Sequence, residues 1–183
     1  MTTQPKETEW TVLSVQLPAE PSRHRVAVWR ELRRVGALSL GQGVWALPRT
    51  PAFEQGLERA LKLIERGQGK ALLLEVRGRD QAQAEQLETL FTAGREEEWA
   101  EFISECAKYE AELDRELAQE KFTLAELDEE EQSLERLRRW YRDLKLRDLF
   151  GAPSGGAADE RLKRSQARLE EFSERVYAAL HGH

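Results

Sequence analysis

Apolar and polar residues alternate early in the chain. From Glu9 to Leu17, Trp10, Val12 and Ser14 fall on one side, and Thr11, Leu13, Val15 and Leu17 on the other. This β-branched run, closed by Pro18, predicts a strand. The period then lengthens. Val28, Trp29, Leu32 and Val35 recur at helical spacing between Arg23 and Gly36, with Trp29 facing the core, Ser22 placed to cap the start and Gly36 to end it. Ala37 to Leu40 and Val44 to Leu47 are short apolar runs joined by Gly41-Gln42-Gly43, the pattern of a hairpin. Thr50-Pro51 opens a second helix with a capping hydroxyl and a proline at its first position. Phe53, Leu57, Ala60, Leu61 and Ile64 form its apolar face, and Lys70 to Val76 is the most buried-looking strand of the chain.

The predicted order is βαββαβ. It fits an α+β fold, a ferredoxin-like sandwich with both helices on one face of an antiparallel sheet.

Beyond Asp80 the pattern is helical throughout. Leu87, Leu90 and Phe91 follow a capping pair, Asp80 with Gln83. After Gly94 a long segment carries Trp99, Phe102, Ile103, Cys106, Tyr109, Leu113 and Leu117 at three- and four-residue steps. Thr123 with Glu126 starts another helix, striped by Leu127, Leu134, Leu137, Tyr141 and Leu144. Gly151 to Ala158 predicts a flexible linker, and Leu162, Leu169, Phe172, Val176 and Leu180 a last amphipathic helix. Narrow apolar stripes need partners, so a long antiparallel helical region is expected. The organisation read from the sequence is a ferredoxin-like domain at 1–80 and a helical bundle or coiled-coil arm at 81–183, with the linker at 151–158.

Charge follows the same division. The 183 residues carry 28 Lys+Arg and 34 Asp+Glu, a net of −6. Up to Asp80 there are 13 basic and 9 acidic residues, net +4; beyond it 15 and 25, net −10. No apolar stretch approaches the roughly 18 residues that a membrane helix needs. The start, Met1 to Trp10, has no secretory pattern, and one cysteine, Cys106, excludes an internal disulfide framework. A cytoplasmic, reducing setting without membrane contact is expected.

The stretch WTVLSVQLPAEPSRHRVAVWRELRRVGALSLGQGVWALP resembles the N-terminal domain of ChrB-type chromate resistance proteins. The resemblance lies in the strand ending Leu-Pro, the helix with Val-Trp-Arg-Glu-Leu, Gly36-Ala37 and the Gly-Val-Trp-Ala-Leu-Pro run. FTLAELDEEEQSLERLRRWYRDLKLRDLFGA is similar to the Glu-rich stretch of those domains, so the likeness covers about residues 10 to 150. The element running from the helix through Gly36 and the strand to Gly-Val-Trp-Ala-Leu-Pro also resembles the ferredoxin-like module of the phenylacetate repressor PaaX and, more distantly, the small CRISPR-associated ferredoxin-like nuclease. The resemblance implies a regulator or accessory factor of chromate efflux. Those proteins usually carry a C-terminal domain associated with chromate response; it is not expected here, nor is chromate sensing by this polypeptide alone.

Candidate chemistry is sparse. The nuclease relatives hold a metal with an aspartate at the end of the first strand; Leu13 to Pro18 has no carboxylate, and Glu20 lies beyond the proline. Metal-assisted phosphodiester hydrolysis has no anchor. The glycine pairs 41/43 and 67/69 do not open helices as a phosphate loop would. His24 is the one histidine before the tail pair His181 and His183, which offers at most weak metal capture, and Cys106 sits on an apolar stripe as a structural thiol. Glu96 to Glu98 and Asp128 to Glu131 read as solvated faces. No catalytic set, cofactor or metal is expected.

Arginines are the remaining signal. Arg23, Arg30 and Arg34 share a stripe flanked by Arg25 and Arg33, and Arg77 and Arg79 leave the last strand. Clustered guanidinium groups suit nucleic acid or a small oxyanion such as chromate; alternatively they clamp the acidic helical half. A further basic group, Arg136, Arg138, Arg139, Arg142, Lys145 and Arg147, surrounds Trp140; it extends a phosphate-binding surface or balances nearby glutamates. Two function classes follow: a non-enzymatic regulatory module contacting operator DNA or a protein partner, and an interaction module whose helical arm forms a homodimer or docks a partner.

Overall fold

The computed structural model describes residues 7–182. Its order is β1 (Trp10–Gln16), α1 (Ser22–Val35), β2 (Leu38–Gly41), β3 (Val44–Pro48), α2 (Pro51–Arg66), β4 (Lys70–Val76), α3 (Gln81–Gln119), α4 (Leu124–Arg147) and α5 (Gly155–His181). Met1 to Lys6 and His183, one of the tail pair, lie outside the described residues. Two compact units meet within α3, Met1–Gly94 and Arg95–His183.

In the first unit the sheet order is β2-β3-β1-β4, with every neighbouring pair antiparallel. Crossovers through α1 and α2 link β1 to β2 and β3 to β4, and the order is that of the ferredoxin-like sandwich that the pattern predicts. Leu13 pairs with Trp45 and Thr11 with Leu47, so Leu13, Trp45 and Leu47 share a face. All three are buried, as are Val28 and Leu32 of α1 and Phe53, Ala60 and Ile64 of α2. Phe91, from the first part of α3, meets Trp10 and Phe53 edge-on at 5.5 and 5.8 Å. The helices approach closely at Gly56, where a Cβ would lie 2.1 Å from Cγ2 of Val35. Glycine inside a helix costs about 1 kcal/mol, and here it permits that contact.

Strand β4 departs from expectation. Its continuous apolar run reads as fully buried, yet Leu72, Leu73 and Leu74 are 58%, 43% and 47% exposed. Strand order explains this: β4 is an edge strand, with β1 on one flank only.

Two caps also differ. Pro21, not Ser22, is the N-cap of α1, and no side chain caps it. The Thr50 side chain does not cap α2; its hydroxyl is buried with no hydrogen-bond partner, while its carbonyl accepts the Phe53 N–H at 3.1 Å and Pro51 occupies the first turn as expected.

In the second unit, Trp99, Phe102, Cys106, Leu113, Leu134, Leu144, Leu162 and Phe172 form one core drawn from α3, α4 and α5. Gly94 starts no new helix, because α3 runs through it. One glycine among good helix formers costs about 1 kcal/mol, too little to break a long helix. The expected linker is shorter than 151–158: α5 begins at Gly155, and Ala152 and Ala158 are buried. Glu96 holds this junction, accepting the Ser154 backbone N–H at 2.9 Å and its hydroxyl. Glu98 contacts Arg95 at 2.8 Å and Arg147 at 3.1 Å, so the acidic triple is partly structural rather than solvated.

Candidate nucleic-acid interface

Helix α1 ends where Gly36 adopts φ 87°, its N–H donating to the Arg33 carbonyl at 3.0 Å while Ala37 N–H reaches Leu32 at 2.9 Å. Arg33 and Arg34 occupy the last turn, where cations favour the negative end of the helix dipole. Val28, Leu32 and Val35 are buried, which leaves Arg23, Arg25, Arg30, Arg33 and Arg34 exposed.

Trp29 corrects the sequence reading. It does not face the core; it is 53% exposed, and the Arg33 guanidinium lies 5.4 Å from its ring centroid. Helical spacing admits Trp29 to the edge of the apolar arc, but Val28 and Leu32 fill the interior there. Arg25, Trp29 and Arg33, four residues apart, therefore form an arginine–aromatic–arginine stripe. Arg25 and Trp29 also line a groove of about 400 Å³ with Gln16, Gln42 and Trp45.

Not every arginine is available. Arg34 binds Glu31 through Nε at 3.0 Å and Nη2 at 2.7 and 2.8 Å, and Arg59 of α2 donates to the same carboxylate at 2.7 Å. Glu31 is buried, which alone would raise its pKa, but the hydrogen bonds from Arg59 and Arg34 outweigh burial and hold its carboxyl below the usual value. Arg23, Arg25 and Arg30 form no ion pair among the described residues.

Arg77 and Arg79 lie elsewhere. They line a separate groove of about 620 Å³ with Leu40, Gln83, Leu87 and Leu90, sharing no lining residue with the α1 groove. Arg77 pairs with Glu9, which also takes Arg49 at 3.0 Å. The Arg77 hydrogen bond, then its charge, lowers the Glu9 carboxyl below its ordinary value. The seven arginines thus do not converge on one site. Five share α1, and the ion pairs described for Arg34 and Arg77 lie inside the α/β unit.

The other candidates fall into place locally. Cys106 is fully buried, and burial pushes its thiol up to about 11, as a structural thiol requires. Around Trp140, whose ring meets Phe102 at 5.3 Å, Arg138 and Arg142 pair with Glu135 and Arg147 with Glu98. Glutamates thus pair with three of those six basic residues, and Arg136 donates to Ser133 Oγ at 2.8 Å. Glu130, read as solvated, is buried. Among the described residues no group of three or more His, Cys, Asp or Glu side chains is placed to hold a metal ion, and no helix is long and apolar enough to cross a membrane.

Sequence reasoning passed over Arg59, Glu110 and Asp148. The i,i+3 spacing of Glu31 and Arg34 was legible, whereas Arg59 reaches Glu31 from another helix.

Comparison with known proteins bears out the family that the sequence resembles. The model of the family described as Protein ChrB, N-terminal, matches residues 25–183. Protein ChrB of Cupriavidus metallidurans is 32% identical over 101 residues, which cover 55% of this chain and 31% of that protein. The match thus spans less than a third of the relative's length. No solved structure matches.

Proposed function

Because the chain belongs to the ChrB N-terminal family, we propose that it is a non-enzymatic regulatory or accessory module of chromate resistance that contacts DNA through α1. The observation that supports this is the exposed Arg25–Trp29–Arg33 stripe, with Arg23 and Arg30 beside it outside any described ion pair. Guanidinium groups on one helix face offer donors to phosphate oxygens, and an exposed indole offers a stacking surface. Binding of this kind is salt-dependent, because each neutralised phosphate releases counterions.

Fluorescence anisotropy on a labelled duplex from upstream of the protein's own gene tests it. Binding is expected at low salt. Arg25→Ala and Arg30→Ala should each lower the slope of log K against log salt by about 1, whereas Arg34→Ala should have a smaller effect because Glu31 already holds that guanidinium. No binding by the wild-type chain at low salt would remove the DNA reading.

A second reading, contact with protein, is favoured by β4. An exposed edge strand bearing three partly exposed leucines is a template for pairing with another strand. If a second copy pairs there, light scattering should give a dimer mass, and Leu72→Lys with Leu74→Lys should return it to a monomer. A monomeric wild-type mass would exclude the homodimer.

A further inference from the structure

Between α3 and α4 lies a groove of about 490 Å³ that the reading above does not use. Its wall holds Glu116 of α3 and Glu130 of α4, with Tyr109 and Trp140 beside them and Glu126 and Glu129 towards α4's start. Glu105 and Glu112 also line it, but these are neutralised on their own helix by Lys108 and Arg115.

The two deep carboxylates are different. The Glu116 side chain is only 7% exposed; Oε1 has a long contact to Lys121 at 3.3 Å, and Oε2 is buried with no hydrogen-bond partner. Glu130 is 5% exposed, and its carboxylate has no hydrogen bond or ion pair among the described residues; the Tyr109 hydroxyl donates instead to its backbone carbonyl at 3.1 Å. Burial, then the charges of Glu129, Glu116 and Glu126, pushes the Glu130 carboxyl up, opposed by Arg136, which also lines the groove and donates to Ser133 Oγ at 2.8 Å. Glu126 and Glu129 likewise form no ion pair among the described residues. A buried carboxylate without a partner, such as Glu130, beside one held only by Lys121 is costly, and the arrangement is relieved by a cation carrying several N–H donors.

We propose that this groove binds an aliphatic polyamine, one ammonium group meeting Glu116 and Glu130 while the chain's other cations reach Glu126 and Glu129. Tyr109 and Trp140 supply apolar and π surface for the methylene stem and its charge. The volume is within the roughly 300–1,000 Å³ of small-molecule sites. A bare divalent cation is a poorer match, since it needs several oxygens converging at one point, and among the described residues no such cluster exists. The site lies wholly in the helical unit and does not depend on DNA binding by α1.

Calorimetric titration of spermidine into the full chain is the test. One saturable site is expected. Glu116→Gln and Glu130→Gln should each weaken binding about tenfold, the scale of one charge-assisted hydrogen bond. Glu101→Gln, at an exposed position of α3 outside the groove, should leave it unchanged. Far-UV circular dichroism verifies that the variants fold; both remove a buried charge, which favours folding. Absence of saturable heat, unchanged affinity in both folded variants, or stoichiometric Mg²⁺ binding that spermidine does not displace would each overturn the proposal. A trilysine peptide carries the same ammonium chemistry on a bulkier backbone; tighter binding of the peptide than of spermidine would overturn assignment to a free polyamine.

Discussion

Replacing Trp99 with alanine is expected to cost the helical unit about 3–5 kcal/mol. The indole is 1% exposed and meets Phe102 and Tyr141 at ring distances of 6.0 and 5.5 Å. Truncation leaves a cavity that three helices cannot easily fill, because each is tied into the same core. Polar atoms suffer as well. Trp99 Nε1–H donates at 2.9 Å to Oδ2 of Asp148, whose Oδ1 accepts the Ala152 backbone N–H at 2.9 Å in the turn before α5. Trp99→Phe separates the two contributions: most of the ring remains, the hydrogen bond is lost, and about 1–2 kcal/mol is expected. Urea unfolding followed by far-UV circular dichroism measures both. A loss below about 1 kcal/mol for the alanine variant would show that the cluster does not hold the unit together.

The second large effect is expected at Glu110. This carboxylate of α3 is 5% exposed and faces α5. Ser165 Oγ–H donates to its Oε1 at 3.1 Å, Arg161 Nε is an ion-pair contact at 3.0 Å without hydrogen-bond alignment, and Arg164 Nε lies 3.2 Å from Oε2. Breaking a wholly buried pair costs about 3–5 kcal/mol. Arg161 and Arg164 are 29% and 71% exposed, so water recovers part of their charge once the carboxylate is gone. Glu110→Ala should therefore cost about 2–3 kcal/mol, chiefly through the partly buried Arg161 left without its carboxylate, since the Ser165 hydroxyl keeps the Arg161 carbonyl at 3.1 Å as an acceptor. Glu110→Gln retains an oxygen for Ser165 and should cost about half as much. Equal stability of Glu110→Ala and wild type in the same unfolding experiment would mean that the cluster is energetically idle.

Both positions show what a one-dimensional pattern conveys. Trp99 was readable as core, because its three- and four-residue spacing to Phe102, Ile103 and Cys106 marks one face of a helix. Glu110 was not. Its partners lie on α5, more than fifty residues along the chain, and a lone glutamate on a charged helix looks like any solvated one. Glu116 and Glu130 were hidden for the same reason. The candidate interface divides similarly: the α1 arginines were visible as a stripe, while the exposure of Trp29 between Arg25 and Arg33 was not.

The sequence alone determined the βαββαβ order, the hairpin at Gly41-Gln42-Gly43, the helix stop at Gly36, the capping pairs Asp80/Gln83 and Thr123/Glu126, and the helical character beyond Asp80. These depend on backbone preference and on periodicity within one element, which neighbouring residues encode. Tertiary structure alone decided which strand is an edge, which aromatic faces water and which carboxylates are buried without a partner. A run such as Lys70 to Val76 states only that its side chains are apolar. Whether anything covers them depends on elements distant in the chain, and in this fold β4 has a neighbour on one flank only.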